Sequence, residues 1–244
     1  MAKRNKGKKT SSFEEVKLGF DLDFFTSLSK TRSDSLLDLP LISSIAKRAG
    51  ADQTVLHLRS KSEAGILKLC RGQRQVCLKI EPKTDLVAAA LKAGPSSVCL
   101  ISRIRERPAP VIFSDSSFAA TKKAVETLKK RKILVGISVK AEAVSLRRAR
   151  ALGVDFVEIC GSDYAQASSS KKIKEELETL QLAIYLAYEL GLKPWVGCGI
   201  NYQNARAVSK IPHLSGINAG RAVSIHSILW GLRSAVSEMK ILIA

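Results

Sequence analysis

Acids, bases and cations recur where short apolar runs give way to turns. They are Asp21 and Asp23, His57 and Arg59, Lys79 and Glu81, Arg103, Lys140, Glu158 and Cys160, then Cys198 with Gly199 and Asn218 with Gly220. Carboxylates and an imidazole fixed at such points can give and take protons near neutral pH, which is the equipment of general acid–base chemistry. Ends of strands are also polar merely because they are exposed. That plainer reading explains Asp21 and Asp23 less well, because Leu18, Gly19, Phe20 and Leu22 around them are apolar. Alternate residues of a strand share a side, so the run predicts both carboxylates together on one face. Gly197-Cys198-Gly199 and Asn218-Ala219-Gly220 follow the last two apolar runs, and the second opens into a helical stretch. Backbone amides clear of side chains beside a helix N-terminus suit a phosphate, and the joint position of the two segments predicts such a site where either alone would be a weak signal.

The elements that must position these residues alternate from end to end. Strands are expected at Lys17–Asp23, Thr54–Leu58, Val76–Ile80, Ser97–Ile101, Ile133–Val139, Phe156–Ile159, Pro194–Val196 and Gly216–Ala219. Helices are expected between and after them, including Leu36–Ala49, Thr84–Ala93, Ala119–Lys130, Ala141–Leu152, Lys172–Leu190 and Ala222–Met239. Short apolar strands in alternation with helices indicate a parallel sheet covered by helices. Ala49-Gly50, Ala93-Gly94, Leu152-Gly153 and Leu190-Gly191 each lead into a strand, and glycine there suits the left-handed residue that ends a helix. Eight such units favour a closed α/β barrel, the (β/α)8 TIM barrel, over an open sheet. In that barrel the chemistry gathers where strands end, and the loops after strands seven and eight commonly hold phosphate.

At 244 residues the chain has the size of one such barrel. The division expected is a basic, disordered tail over residues 1–15 and a single barrel domain over residues 16–244. The formal charge of +18 is concentrated partly in that tail, which reads first as a solubilising terminus and second as an arm for RNA or another polyanion. Elsewhere the basic residues are scattered without interleaved aromatics, so the case for nucleic acid is weak. Five cysteines without a CxxC pair argue against a disulfide framework or a zinc site, and Cys77 and Cys99 read as small core hydrophobes. No apolar run reaches the length of a membrane span, so a cytoplasmic, soluble protein is expected. His213 and His226 lie outside the motifs and read as ordinary surface or helix residues.

In these same segments the chain resembles the pyridoxine 5'-phosphate synthase family. The resemblance runs through Leu18-Gly19-Phe20-Asp21-Leu22-Asp23-Phe24 with Arg32 shortly after, Ala49-Gly50-Ala51-Asp52, His57-Leu58-Arg59, Ile80-Glu81 and Glu158-Ile159-Cys160-Gly161-Ser162-Asp163-Tyr164-Ala165. It continues through Gly197-Cys198-Gly199-Ile200-Asn201-Tyr202, Asn218-Ala219-Gly220-Arg221 and the C-terminal segment. The resemblance implies condensation of 1-deoxy-D-xylulose 5-phosphate with 3-amino-2-oxopropyl phosphate to pyridoxine 5'-phosphate, without a metal or organic cofactor, by a cytoplasmic homo-oligomer. By the same resemblance Glu81 is the principal general acid/base, His57 a second base, Cys198 stands at the proton-donor position, and Glu158 stabilises developing positive charge. Asp21, Asp23, Arg32, Arg59, Gly199, Asn218, Gly220 and Arg221 are then substrate- or phosphate-binding positions.

The chain departs from the family pattern where imidazoles are expected. Phe24, Cys160, Cys198 and Arg221 stand at histidine positions, Ala64 replaces a loop histidine, and Asp21 replaces an asparagine. His57 is retained. A thiol has a reference pKa about two units above that of imidazole and a shorter reach. A second reading therefore stands beside the first: a lapsed or repurposed family member that binds a phosphorylated metabolite, or RNA through its basic surface.

Overall fold

Runs of Val, Leu, Ile and Cys that are buried on both faces make the strands, as parallel sheets between helices require. The computed structural model describes residues 15–28, 38–104 and 107–244. Arg32 and all of the basic amino-terminal stretch except Glu15 lie outside the described residues. The first half comprises β1 (Lys17–Asp21), α1 (Asp23–Leu28), α2 (Leu39–Arg48), β2 (Gln53–His57), α3 (Ala64–Gly72), β3 (Val76–Ile80), α4 (Thr84–Ala93), β4 (Ser97–Leu100), β5 (Ser102–Ile104), β6 (Arg107–Ala109) and α5 (Asp115–Lys129). The second comprises β7 (Leu134–Val139), α6 (Ala143–Ala151), β8 (Phe156–Cys160), α7 (Ser162–Gln166), α8 (Ser170–Glu189), β9 (Lys193–Gly197), α9 (Ala205–Ser209), β10 (Gly216–Ala219), α10 (Arg221–Trp230) and α11 (Leu232–Ile243).

Eight parallel strands close in the order β1-β2-β3-β4-β7-β8-β9-β10, with β10 returning to β1 through Leu18↔Ile217 and Gly19↔Asn218. This is the expected (β/α)8 TIM barrel. Val55, Cys77, Cys99 and Ile101 fill its interior with Phe156 packed against them, so the two cysteines are core residues as expected. A larger apolar layer between strands and helices includes Leu56, Leu78, Ile137, Ile184 and Val236. Side-chain oxygens of Asp38, Ser114 and Ser169 cap the N-termini of α2, α5 and α8, satisfying amides that the first turn leaves open. Gly50, Gly94, Gly153 and Gly191 have φ of +110°, +65°, +74° and +73°, as the recurring helix-end glycines predict.

The structure corrects three boundaries. The first strand stops at Asp21, and Asp23 is the first residue of α1. The two carboxylates therefore meet by a local turn, with the Asp23 amide donating to Asp21 Oδ1 at 2.9 Å, and not by strand alternation. The final helix is two, divided at Gly231 (φ +76°). The stretch after β4 forms the antiparallel hairpin β5–β6, then runs beside the barrel, where the Val111 amide donates to Ser138 O at 2.8 Å. The short helices α1, α3, α7 and α9 were not among the helices expected by name.

Candidate active site

Strand β3 alternates Cys77 and Lys79 toward the barrel axis. Lys79 is the one charged residue in an otherwise apolar run, and its side chain is 5% exposed. Its Nζ lies 3.2 Å from Asp21 Oδ2 at the end of β1 and 3.0 Å from Glu158 Oε2 on β8. Asn218 on β10 donates from Nδ2 to the same Glu158 oxygen and accepts from Gln53 Nε2 at 3.3 Å. Five strands thus send polar side chains into one buried network. Its room is made by missing side chains: a Cβ on Gly19 would stand 1.9 Å from Asn218 Oδ1, and one on Gly197 would stand 2.8 Å from Glu158 Cδ. Although burial works against a charged lysine, Glu158 and Asp21 hold the Lys79 ammonium well above its ordinary pKa, so it is a fixed cation.

Above this floor lie the groups nearer the opening. Asp23 ion-pairs with Arg59, whose side chain is 8% exposed and whose Nη1 is 3.8 Å from Glu63 Oε1. Glu63 Oε2 also accepts from the Arg59 amide at 2.6 Å, so the guanidinium is oriented by its own loop. His57 is buried, with Nδ1 3.8 Å from Asp23 Oδ1. Burial and the neighbouring Asp21 charge raise the pKa of Asp23, against the opposing pull of Arg59 and Lys79. Glu81, one residue past β3, pairs with Arg103 Nε at 2.8 Å and with Lys83 Nζ at 3.1 Å. Arg103 comes from the β5–β6 hairpin, which gives that insertion a part in the site.

Across the mouth, Cys160 ends β8 and Cys198 follows β9. Cys198 has φ +62° and Gly199 φ +96°, so the chain turns sharply there. A hydrogen bond with Cys198 lowers the Cys160 pKa to about 6 against the opposing effect of burial, helped by Ser162 Oγ at 3.2 Å. Cys198, as the partner that keeps its proton, is pushed well above the ordinary thiol value. A Cβ on Gly199 would lie 2.5 Å from Ala165 Cβ, and one on Gly220 would lie 2.6 Å from Asp21 O. Close packing is therefore sufficient reason for both glycines, with their amides still placed beside the mouth. Gly220 precedes α10, and the side chain of Arg221, its first residue, is exposed.

The structure brings together Asp21, Asp23, His57, Arg59, Glu158 and Asn218, with Glu81, Cys198, Gly199 and Gly220 around them. Sequence reasoning named Lys79 at a strand end but gave it no role, and it overlooked Gln53 and Glu63. The available signal was the two-residue spacing from Cys77, which places Lys79 on the inward face. His213 stacks on Tyr188 with ring centroids 3.9 Å apart, and His226 Nε2 lies 2.8 Å from Glu238 Oε2, both outside the network.

Known proteins similar to this chain match it over nearly its whole length. The family described as pyridoxal phosphate biosynthesis protein PdxJ matches residues 18–244. The pyridoxine 5'-phosphate synthase of Elusimicrobium minutum (strain Pei191) is 28% identical over 233 residues, covering 92% of this chain and 96% of that protein. The enzyme of the same name from Pseudoalteromonas translucida (strain TAC 125) is 27% identical, with 93% and 96% covered. Among solved structures, 3-hexulose-6-phosphate synthase superposes with a TM-score of 0.62 at 17% identity, covering 94% of this chain and all of the other. N-(5'-phosphoribosyl)anthranilate isomerase from Pyrococcus furiosus does so with a TM-score of 0.56 at 15% identity, covering 94% and 98%; at these identities the likeness is one of fold. With the match extending from β1 to the C-terminus, the chain belongs to the PdxJ family of pyridoxal phosphate biosynthesis proteins.

Proposed function

We propose that the chain is a pyridoxine 5'-phosphate synthase of vitamin B6 biosynthesis, closing the pyridine ring from 1-deoxy-D-xylulose 5-phosphate and 3-amino-2-oxopropyl phosphate. The observation that carries this reading is the convergence of Asp21, His57, Lys79, Glu158 and Asn218 inside the C-terminal end of a PdxJ-family barrel. The reaction moves protons among carbonyls and an amine, so its catalysts must be acids and bases held at fixed separations.

The roles that the family resemblance implies are supported by what holds each group. Glu158, buried and braced by Lys79 and Asn218, is a carboxylate that cannot swing away, suited to facing positive charge that develops on the substrate amine. Glu81 has the more accessible carboxylate and takes the principal proton-transfer role, with Arg103 fixing its orientation. His57 beside Asp23 is the second base. Arg59 directs a substrate from a guanidinium already braced by Asp23 and Glu63. The amides of Gly199 and Gly220, with Arg221 at the start of α10, receive phosphate. Arg32 is assigned to the phosphate of the amino ketone on the family resemblance alone. Among the described residues no helix is long and apolar enough to cross a membrane. A cytoplasmic location belongs to the proposal and is to be checked by fractionation. The assembly is a homo-oligomer, to be checked by sedimentation.

Mass-spectrometric detection of pyridoxine 5'-phosphate on mixing the purified chain with both phosphorylated substrates tests the proposal. Binding of either substrate without product would favour the second reading, a family member with altered chemistry on a phosphorylated ketone. One observation supports that second reading: Lys79 already satisfies both Asp21 and Glu158, leaving the floor of the site electrostatically closed.

A further inference from the structure

Of the five cysteines, two stand together at the mouth of the barrel. Cys160 pairs with Gly197 in the β8–β9 register, and the Gly161 amide donates to Gly197 O at 2.8 Å, so the ends of these strands are tightly joined. Neighbouring parallel strands lie about 4.8 Å apart, and one residue of advance adds about 3.3 Å, which puts the Cys160 and Cys198 Cα atoms on a diagonal of about 6 Å. That falls within the roughly 4.4–6.8 Å that a disulfide spans. Continued extended backbone would turn the Cys198 side chain to the opposite face from Gly197. The left-handed conformation at Cys198 instead breaks that alternation, and each thiol shifts the ionisation of the other. Both residues are partly exposed, whereas Cys70, Cys77 and Cys99 are buried.

From this juxtaposition we infer that Cys160 and Cys198 are a reversible oxidisable dithiol, with Cys160 attacking a peroxide and Cys198 resolving the product into a disulfide. The Cys160 sulfur attacks one oxygen of hydrogen peroxide, the O–O bond breaks, and hydroxide leaves to become water; Cys160 is then a sulfenic acid. The Cys198 sulfur attacks the Cys160 sulfur, the S–O bond breaks, and the departing hydroxide takes the Cys198 proton. Two thiols are oxidised and one peroxide is reduced to two waters. The environment divides the roles in the same sense: Cys160 is held at about 6 by its hydrogen bonds, so it is the thiolate nucleophile at neutral pH, while Cys198 retains its proton. The disulfide would tie the loop carrying Gly199 to the end of β8 and withdraw Cys198 from proton transfer. The inference is independent of which reaction the site catalyses.

The test treats the folded full-length chain with hydrogen peroxide, blocks free thiols by alkylation before unfolding, and maps peptides with and without dithiothreitol. The expected result is a linked peptide pair containing Cys160 and Cys198, a mass loss of two hydrogen atoms, and complete reversal by dithiothreitol. In Cys160→Ser the linked pair and the mass loss should vanish, with Cys70, Cys77 and Cys99 still unmodified. Progression of wild-type Cys160 to sulfinic or sulfonic acid without a linked pair, linkage to another cysteine, or an unreacted Cys160 would each overturn the inference. The wild-type map alone decides the matter should the variant fail to fold.

Discussion

Replacing Lys79 with Met keeps most of the side-chain volume but removes the ammonium 3.2 Å from Asp21 and 3.0 Å from Glu158. Glu158 is 1% exposed and cannot recruit bulk water, so its charge is left against apolar surroundings and one Asn218 donor. Removing one partner of a buried ion pair costs about 3–5 kcal/mol. For a chain of this length each kcal/mol is worth about 2–4 °C, so Lys79→Met should lower Tm by roughly 10 °C. The pH dependence has a definite sign. Lys79 has a raised folded-state pKa, so its stabilisation is fully present below the ordinary lysine value and is lost only as pH rises through that raised value. Urea unfolding at neutral pH, with Lys79→Met/Glu158→Gln alongside, measures the loss. The double variant should recover at least half of the loss, because the uncompensated charge has gone. A loss under about 1 kcal/mol in Lys79→Met, or strictly additive single effects, would refute the reading of a fixed charge-bridging floor.

Three further expectations concern the mouth and its packing. Alkylation of Cys160 by iodoacetamide, followed by peptide mapping, should rise with pH to a midpoint near 6, whereas a midpoint at the ordinary thiol value would remove the influence of Cys198. Glu81→Gln should reduce product formation at least ~100-fold with Tm little changed, since it removes proton acceptance at nearly constant shape; unchanged turnover would reject Glu81 as the base. Gly19→Ala should cost about 1–3 kcal/mol in urea unfolding because its Cβ would fall 1.9 Å from Asn218 Oδ1 and dislodge the amide bracing Glu158.

What the sequence disclosed depended on whether the determining interactions were local. Helix-end glycines feeding apolar runs were readable because the left-handed residue and the buried strand are properties of neighbouring residues. The break at Gly231 was not, since a lone glycine in a helical run is tolerated as often as it terminates one. The end of β1 was misplaced because a single bond from the Asp23 amide to Asp21 Oδ1 starts a helix inside an apolar stretch. Lys79 was the largest omission. A lysine near a strand end ordinarily reaches water, and only barrel closure brings Asp21, 58 positions away, and Glu158 against it.

That closure also explains how the site can lose imidazoles and remain ordered. Among the described residues of the network, the carboxyl groups of Asp21, Asp23 and Glu158 are each set against Lys79 or Arg59, so every one of them has a cationic partner without contribution from His57. The members that hold the floor each touch a partner on another strand or loop, which fixes geometry irrespective of the proton traffic above. In the proposed function, proton movement then falls to groups outside the locked floor: Glu81 held by Arg103, His57 beside Asp23, and Cys198 at the mouth. Substitution at the mouth can therefore change the rate of proton transfer while leaving the fold and the placement of Glu158 intact. Substitution in the floor changes stability first. The separation between those two responses follows from the ion pairs of Lys79, and it gives the stability and turnover measurements independent meanings.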